Sequence, residues 1–194
     1  ENLRMLKRCG CRLVPFSPLH DEQLPQGIDG ILLGGGYPEL YGQQLSQSPI
    51  TAQLKKALEE GMPCLAECGG YLYLHETLEN EEGHLWPMVG VLGGSSARGK
   101  GLGRFGYISI SPKEDTPYLK QGEIIRGHEF HYWQSSREGA ACQAEKPVGS
   151  RGWPCMESRG HIFCGFPHLY YPSCPQLPER FAAACRAFGE RRKP

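Results

Sequence analysis

The chain has 194 residues, with 21 basic and 21 acidic side chains and no net charge. That balance, without a basic run or an acidic tail, excludes the electrostatic footprint of a nucleic-acid binder, and no apolar stretch is long enough to span a bilayer. Nine cysteines without a C-x-x-C pair read as reduced thiols of a cytoplasmic protein, with neither disulfides nor a bound metal expected.

Residues 2–9 read as a helix and residues 12–16 as a short strand. Polar residues, Pro and Gly make 17–27 a loop. The apolar run 29–33 is a buried strand, halted by Gly34-Gly35-Gly36. The next helix carries its own end signals. Ser48 caps it, Pro49 suits its first turn, Gly61 closes it, and Ile50, Leu54, Ala57 and Leu58 mark its buried side. Pro63 then leads into the apolar run Cys64-Leu65-Ala66, which stops at Glu67-Cys68 and passes through Gly69-Gly70 into an apolar, helix-like segment. Alternation of helix and strand implies a parallel sheet with helices on both faces.

The second half changes character. Residues 89–92, 107–110, 123–132 and 161–166 read as strands with few helix signals between them. They predict a mixed or antiparallel extension of the sheet. A last helix over 178–188 is expected to stop at Gly189. No internal repeat or linker divides the chain, so residues 1–194 are expected to form one α/β domain.

Strand, sharp turn and helix form a nucleophile elbow, with the reactive residue at the turn. That residue is Cys68. The helix after it should aim N–H groups at the thiol and lower its pKa. Backbone amides of Gly35 and Gly36, following the earlier strand, and of Gly69, following the nucleophile, are candidates for an oxyanion hole, since no side chain blocks approach.

A nucleophilic thiol needs a base. His20 and His84 lie in polar loops, and His75 lies near the far end of the elbow helix. His128 and His131, three apart on a strand, should face opposite ways and so cannot share a metal. His161 sits among irregularly spaced cysteines that match no zinc pattern. His168 follows a strand and Pro167, at the kind of strand end where α/β sheets carry catalytic groups, and is the candidate base on position. Two phosphate-loop lookalikes are set aside. Gly94 to Lys100 has Gly101 where Ser or Thr should hold magnesium, and Gly101-x-Gly103-x-x-Gly106 precedes a strand rather than a helix.

Four segments occur in order: Gly34-Gly35-Gly36-Tyr37-Pro38-Glu39, Ala66-Glu67-Cys68-Gly69-Gly70, Pro87-Met88-Val89-Gly90-Val91-Leu92 and Arg126-Gly127-His128-Glu129-Phe130-His131-Tyr132. With them the chain resembles, over nearly its whole length, the glutaminase domains of the cobyrinic acid a,c-diamide synthase family, a branch of the class I, triad-type glutamine amidotransferases. The resemblance implies a flavodoxin-like α/β fold. It implies that Cys68 attacks the side-chain amide of L-glutamine and that His168 serves it. It further implies that ammonia passes to an ATP- and magnesium-dependent synthetase domain, normally N-terminal on the same polypeptide, which binds cobyrinic acid and activates its a and c carboxylates. No cofactor is expected in this domain itself. Most class I glutaminases carry a Glu two residues after the histidine; here that residue is Tyr170, as in the cobalamin-type branch, which leaves open what orients His168. The family also begins with a strand before the first helix, so the chain is expected to be a C-terminal piece of a longer polypeptide. Alternatives are the glutaminase of cobyric acid synthase, a sibling acting on another tetrapyrrole or a cell-wall lipid, or a catalytically silent docking module.

Overall fold

Short apolar runs bounded by Gly and Pro form the centre of the molecule. In the computed structural model, which describes residues 1–137 and 139–192, α1 (Asn2–Arg8) is followed by an extended segment and then by β1 (Ile31–Leu33). A 3-10 turn (Pro38–Tyr41), α2 (Gly42–Gln47) and α3 (Pro49–Glu59) lead to β2 (Cys64–Glu67) and the short α4 (Gly69–Tyr73). The end signals of α3 act as expected. Ser48 Oγ accepts from the Ile50 N–H at 3.3 Å, Pro49 sits in the first turn, and Gly61 leaves the helix at φ +97°.

The remaining strands are β3 (Thr77–Glu79), β4 (Leu85–Pro87), β5 (Ser95–Arg98), β6 (Phe105–Pro112), β7 (Ile125–Phe130) and β8 (Trp133–Ser135). They continue with β9 (Cys142–Glu145), β10 (Gly152–Cys155), β11 (Glu157–Arg159), β12 (Ile162–Gly165) and β13 (His168–Tyr170), and α5 (Gln176–Arg191) follows. One sheet has the order β1-β2-β12-β11, parallel except for its β11 edge. A second, β10-β9-β6-β7-β13, is antiparallel throughout, and a third, β4-β3-β5-β8, is mixed. The α/β fold is as expected, and β12 with the antiparallel β11 extends the first sheet as the second half predicted, but the other strands of that half build two further sheets.

β2 and β12 are buried on both faces. Cys64 and Ala66 of β2, with Ile162 and Cys164 of β12, join a cluster containing Ile50, Leu54 and Leu58 of α3 and Tyr71 and Leu72 of α4. Leu65 and Phe163 point the other way, into a cluster with Leu6 of α1, Ile108 and Ile110 of β6, and Leu177 and Phe181 of α5. This period of two explains why these strands read as unbroken apolar runs.

Four expectations are corrected. Residues 12–16 form no strand; Leu13, Val14 and Phe16 instead line, with Leu32 of β1, a cavity of about 500 Å³. Residues 89–92 are not a strand either. Gly90, at φ +74°, turns the backbone, and the N–H groups of Val89, Gly90 and Leu92 donate to the carbonyls of Tyr73, His75 and Leu74 at and just after the end of α4. Residues 123–132 contribute a strand only over Ile125–Phe130, after which His131 breaks the ladder with its own side-chain contacts. α5 runs through Gly189 because that glycine serves a close approach: a Cβ there would lie 2.6 Å from Asp29 Oδ1. Among the described residues no helix is long and apolar enough to cross a membrane.

Candidate active site

Three connections meet at the carboxyl ends of β1, β2 and β12, the edge where open α/β sheets place ligands. After β1 comes Gly34-Gly35-Gly36, after β2 comes Cys68, and after β12 come Phe166, Pro167 and His168. Cys68 has φ +49°, in the left-handed region that L residues avoid, which is strain stored at the turn itself. Its neighbours hold it there. The Cys68 N–H donates to the Gly165 carbonyl at 2.8 Å, and the Gly70 N–H donates to the Gly34 carbonyl at 3.0 Å. Gly69 lies so close to the first loop that a Cβ would sit 2.4 Å from the Gly36 carbonyl oxygen. Only glycine permits that approach.

The thiol is not a preformed thiolate. Burial, and then the nearby Glu39, Glu129 and Glu67 carboxylates, push Cys68 up to about 11, opposed by the Gly69 N–H. The expected lowering fails because α4 has only five residues and supplies one effective donor against a low-dielectric, acidic surround. Cys68 Sγ makes a long contact to the Phe130 carbonyl at 3.8 Å.

His168 opens β13, with its side chain 39% exposed. The Cε1 edge of its ring rests on Gly35, where a Cβ would lie 2.5 Å away. Its basicity is lowered, first by burial and then by His128, its cross-strand partner, with Glu129 opposing. Such an imidazole is neutral near pH 7 and able to accept a proton. Among the described residues no hydrogen bond joins Cys68 Sγ to His168; the two flank Glu67 at one end of the sheet.

The other histidines are engaged elsewhere or exposed. His75 is buried, with Nδ1 donating to the Tyr71 carbonyl and Nε2 against Ser135 Oγ at 2.6 Å. His161 Nε2 lies 2.6 Å from the Leu58 carbonyl. His20 and His84 are exposed. His131 lies just past the end of β7 and is buried, whereas His128 is a half-buried residue of the strand itself. His131 donates from Nδ1 to the Trp133 carbonyl at 2.6 Å, stacks on Phe166, and has Nε2 3.0 Å from Glu129 Oε1. His128 lies instead beside the exposed rings of Phe105 and Tyr107. Cys155 and Cys164 lie in the core, and all nine thiols are free.

Three carboxylates near Cys68 went unread in the sequence. Glu67 is 8% exposed, accepts from the Tyr171 hydroxyl at 3.4 Å and from the Leu169 N–H, and has Oε2 3.8 Å from His168 Nδ1. Burial lifts its carboxyl to about 7 against those two donors. Glu129 is fully buried and accepts from Trp153 Nε1 at 3.0 Å. Glu39 is raised by burial, and its Oε2 is buried without a hydrogen-bond partner among the described residues. The one available signal was a charged residue closing an otherwise apolar strand, at Glu67.

Residues 1–173 match the family described as CobB/CobQ-like glutamine amidotransferase domain. The cobyrinate a,c-diamide synthase of Caldanaerobacter subterraneus subsp. tengcongensis is 36% identical over 194 residues, covering 98% of this chain and 43% of that protein. Those of Synechocystis sp. and Salmonella typhimurium are 38% and 37% identical, covering 97% and 96% of this chain and 40% and 41% of theirs. The chain therefore spans about two fifths of the length of these relatives. A glutamine amidotransferase crystal structure superposes with a TM-score of 0.66 at 18% identity, covering 94% of this chain and 91% of that one. The structure of PurLQS from Thermotoga maritima gives 0.56 at 16% identity, covering 88% and 83%. At that identity the structural likeness speaks for the fold alone.

Proposed function

This chain belongs to the CobB/CobQ-like glutamine amidotransferase domain family, and from that premise we propose that it is the glutaminase domain of an amidating enzyme of the cobyrinate a,c-diamide synthase type. The observation that carries the reading is the strained Cys68 at φ +49°, held between the glycine loop after β1 and the segment that leads into His168.

With its pKa at about 11, the Cys68 thiol is protonated at neutral pH and needs a base as it attacks. The neutral imidazole of His168 takes the thiol proton while sulfur bonds to the side-chain amide carbon of glutamine. The oxyanion that forms faces backbone N–H groups of Gly69 and of the Gly35-Gly36 loop, which need not reorganise to receive it. Collapse expels ammonia, protonated by the same imidazolium, and leaves a glutamyl thioester on Cys68. His168 then activates the water that releases glutamate. Ammonia is used by an ATP- and magnesium-dependent synthetase part of the longer polypeptide, which activates the a and c carboxylates of cobyrinic acid. The chain's coverage of only 40–43% of its relatives supports a division of labour between this domain and another.

In the complete enzyme, Cys68→Ser should abolish glutamine-dependent amidation and leave ammonia-dependent amidation working. Equal loss with both nitrogen donors would overturn the assignment.

A further inference from the structure

The position two residues beyond His168 offers no carboxylate to hold its ring: it is Tyr170, whose side chain is largely in solvent. We propose that Glu67, the last residue of the nucleophile's own strand, is the positioning residue for His168, holding Nδ1 and stabilising the imidazolium formed when Cys68 gives up its proton. This rests on the reading of Cys68 and His168 given above.

The geometry is specific. Glu67 pairs in register with Gly165 of β12, so the neighbouring strand offers no side chain to compete for the carboxylate. Its contacts come instead from the histidine and from two of the three residues that follow it. His168 Nδ1 lies 3.8 Å from Oε2, Leu169 donates its N–H, and Tyr171 brings its hydroxyl 3.4 Å from Oε1. The carboxylate is thus fixed by the segment it orients. On the other side, Gly35 lies against the ring's Cε1 edge. A ring held between Gly35 and Glu67 with Nδ1–H toward the carboxylate leaves Nε2 to exchange the proton. A separation of 3.8 Å is an ion-pair distance rather than a hydrogen bond, and catalytic contacts of this kind commonly tighten when substrate binds. Glu67 itself takes no proton in the cycle. The proton moves from the Cys68 sulfur to Nε2 and on to the departing nitrogen as the C–N bond breaks.

The ionisable groups facing this pair are few. Cys68 adjoins Glu67 in the chain, Tyr171 approaches from the turn after β13, and His128 and Glu129 act on His168 from β7. His128 works against the imidazolium and Glu129 for it. Glu67 is the carboxylate that reaches the ring at 3.8 Å.

The test is glutamate release by the full-length enzyme against pH, with modification of Cys68 by a glutamine-analogue diazoketone followed by mass spectrometry. In the native enzyme kcat should fall as the pH drops through about 7, where Glu67 becomes protonated. Glu67→Gln presents an amide that can donate to Nδ1 and favour the wrong tautomer. It should lower kcat by about 10²-fold with KM little changed, the low end of what a competent base contributes. Its acid limb should move to lower pH, toward that of His168 alone. Glu67→Asp should restore part of the rate. Tyr171→Phe removes a donor that favours the carboxylate, so it should move the acid limb the opposite way, to higher pH, with a smaller loss of rate. That variant also decides the matter if Glu67→Gln does not fold. Wild-type kcat and an unmoved acid limb in folded Glu67→Gln, or an unmoved limb in Tyr171→Phe, with Cys68 still modified, would overturn this role and leave the glutaminase reading standing. An unmodified Cys68 in the native enzyme that also releases no glutamate would overturn both.

Discussion

The parallel sheet and the five-stranded antiparallel sheet are built on different terms. In β2 and β12 every residue is buried, so their side chains serve packing on both faces until the strand ends. In β6 burial alternates: Ile108 and Ile110 face the core, while Tyr107 is 75% exposed. The first sheet is a rigid platform whose chemistry is confined to its carboxyl edge. The second has one face free to carry polar and aromatic groups along its length. The candidate catalytic pair lies at their seam. Cys68 leaves a strand of the first sheet, and His168 begins a strand of the second, joined to β12 only through Phe166 and Pro167. A short proline-stiffened link therefore sets the alignment of the candidate base and the candidate nucleophile across two sheets.

The most damaging way to break the seam should be to remove its candidate base. His168→Asn should cut glutamate release by roughly 10²–10⁴-fold, with the thermal unfolding midpoint nearly unchanged, measured by steady-state kinetics and calorimetry. Truncation away from the seam should separate stability from chemistry. Ile110→Ala in β6 removes a fully buried side chain and should cost about 2–5 kcal/mol by chemical denaturation, while kcat per folded molecule stays at the wild-type value.

The smallest of these effects is also the most diagnostic of the platform's edge. Glu67 has its carboxyl raised by burial to about 7, so the folded state holds a proton that the unfolded state releases near pH 4.5. Stability from this group is fully present below that pH and falls by about 1.4 kcal/mol per unit as pH rises toward 7, about 3 kcal/mol in all. Glu67→Gln does not titrate. Its stability relative to wild type should therefore grow between pH 5 and pH 8, as followed by denaturant unfolding at each pH. A constant difference would mean that Glu67 is not held protonated by burial.

Much of the platform was legible because its rules are local. The Ser48 cap, the apolar run before Cys68 and the two glycines after it are all set by neighbours in the chain. The antiparallel region was only half legible. Strands such as β9 and β13 are short, and they pair with β6 and β7, far away in sequence. Val89 to Leu92 has the apolar composition of a strand but is spent covering the end of α4, which its own sequence does not reveal. At the site, Cys68 and His168 could be named, whereas the raised thiol pKa could not. It arises first from burial of the sulfur and then from Glu39, Glu129 and Glu67, all of which come about only when the chain folds.

Which sulfur reacts, and what drives it, can be read in one labelling experiment. Incubating the enzyme with a glutamine-analogue diazoketone and mapping adducts by mass spectrometry should find modification at Cys68 and at none of the other eight cysteines, slowed strongly in His168→Asn. Modification of another cysteine, or an undiminished rate at Cys68 without His168, would contradict the claim that base and nucleophile meet across the seam between the two sheets.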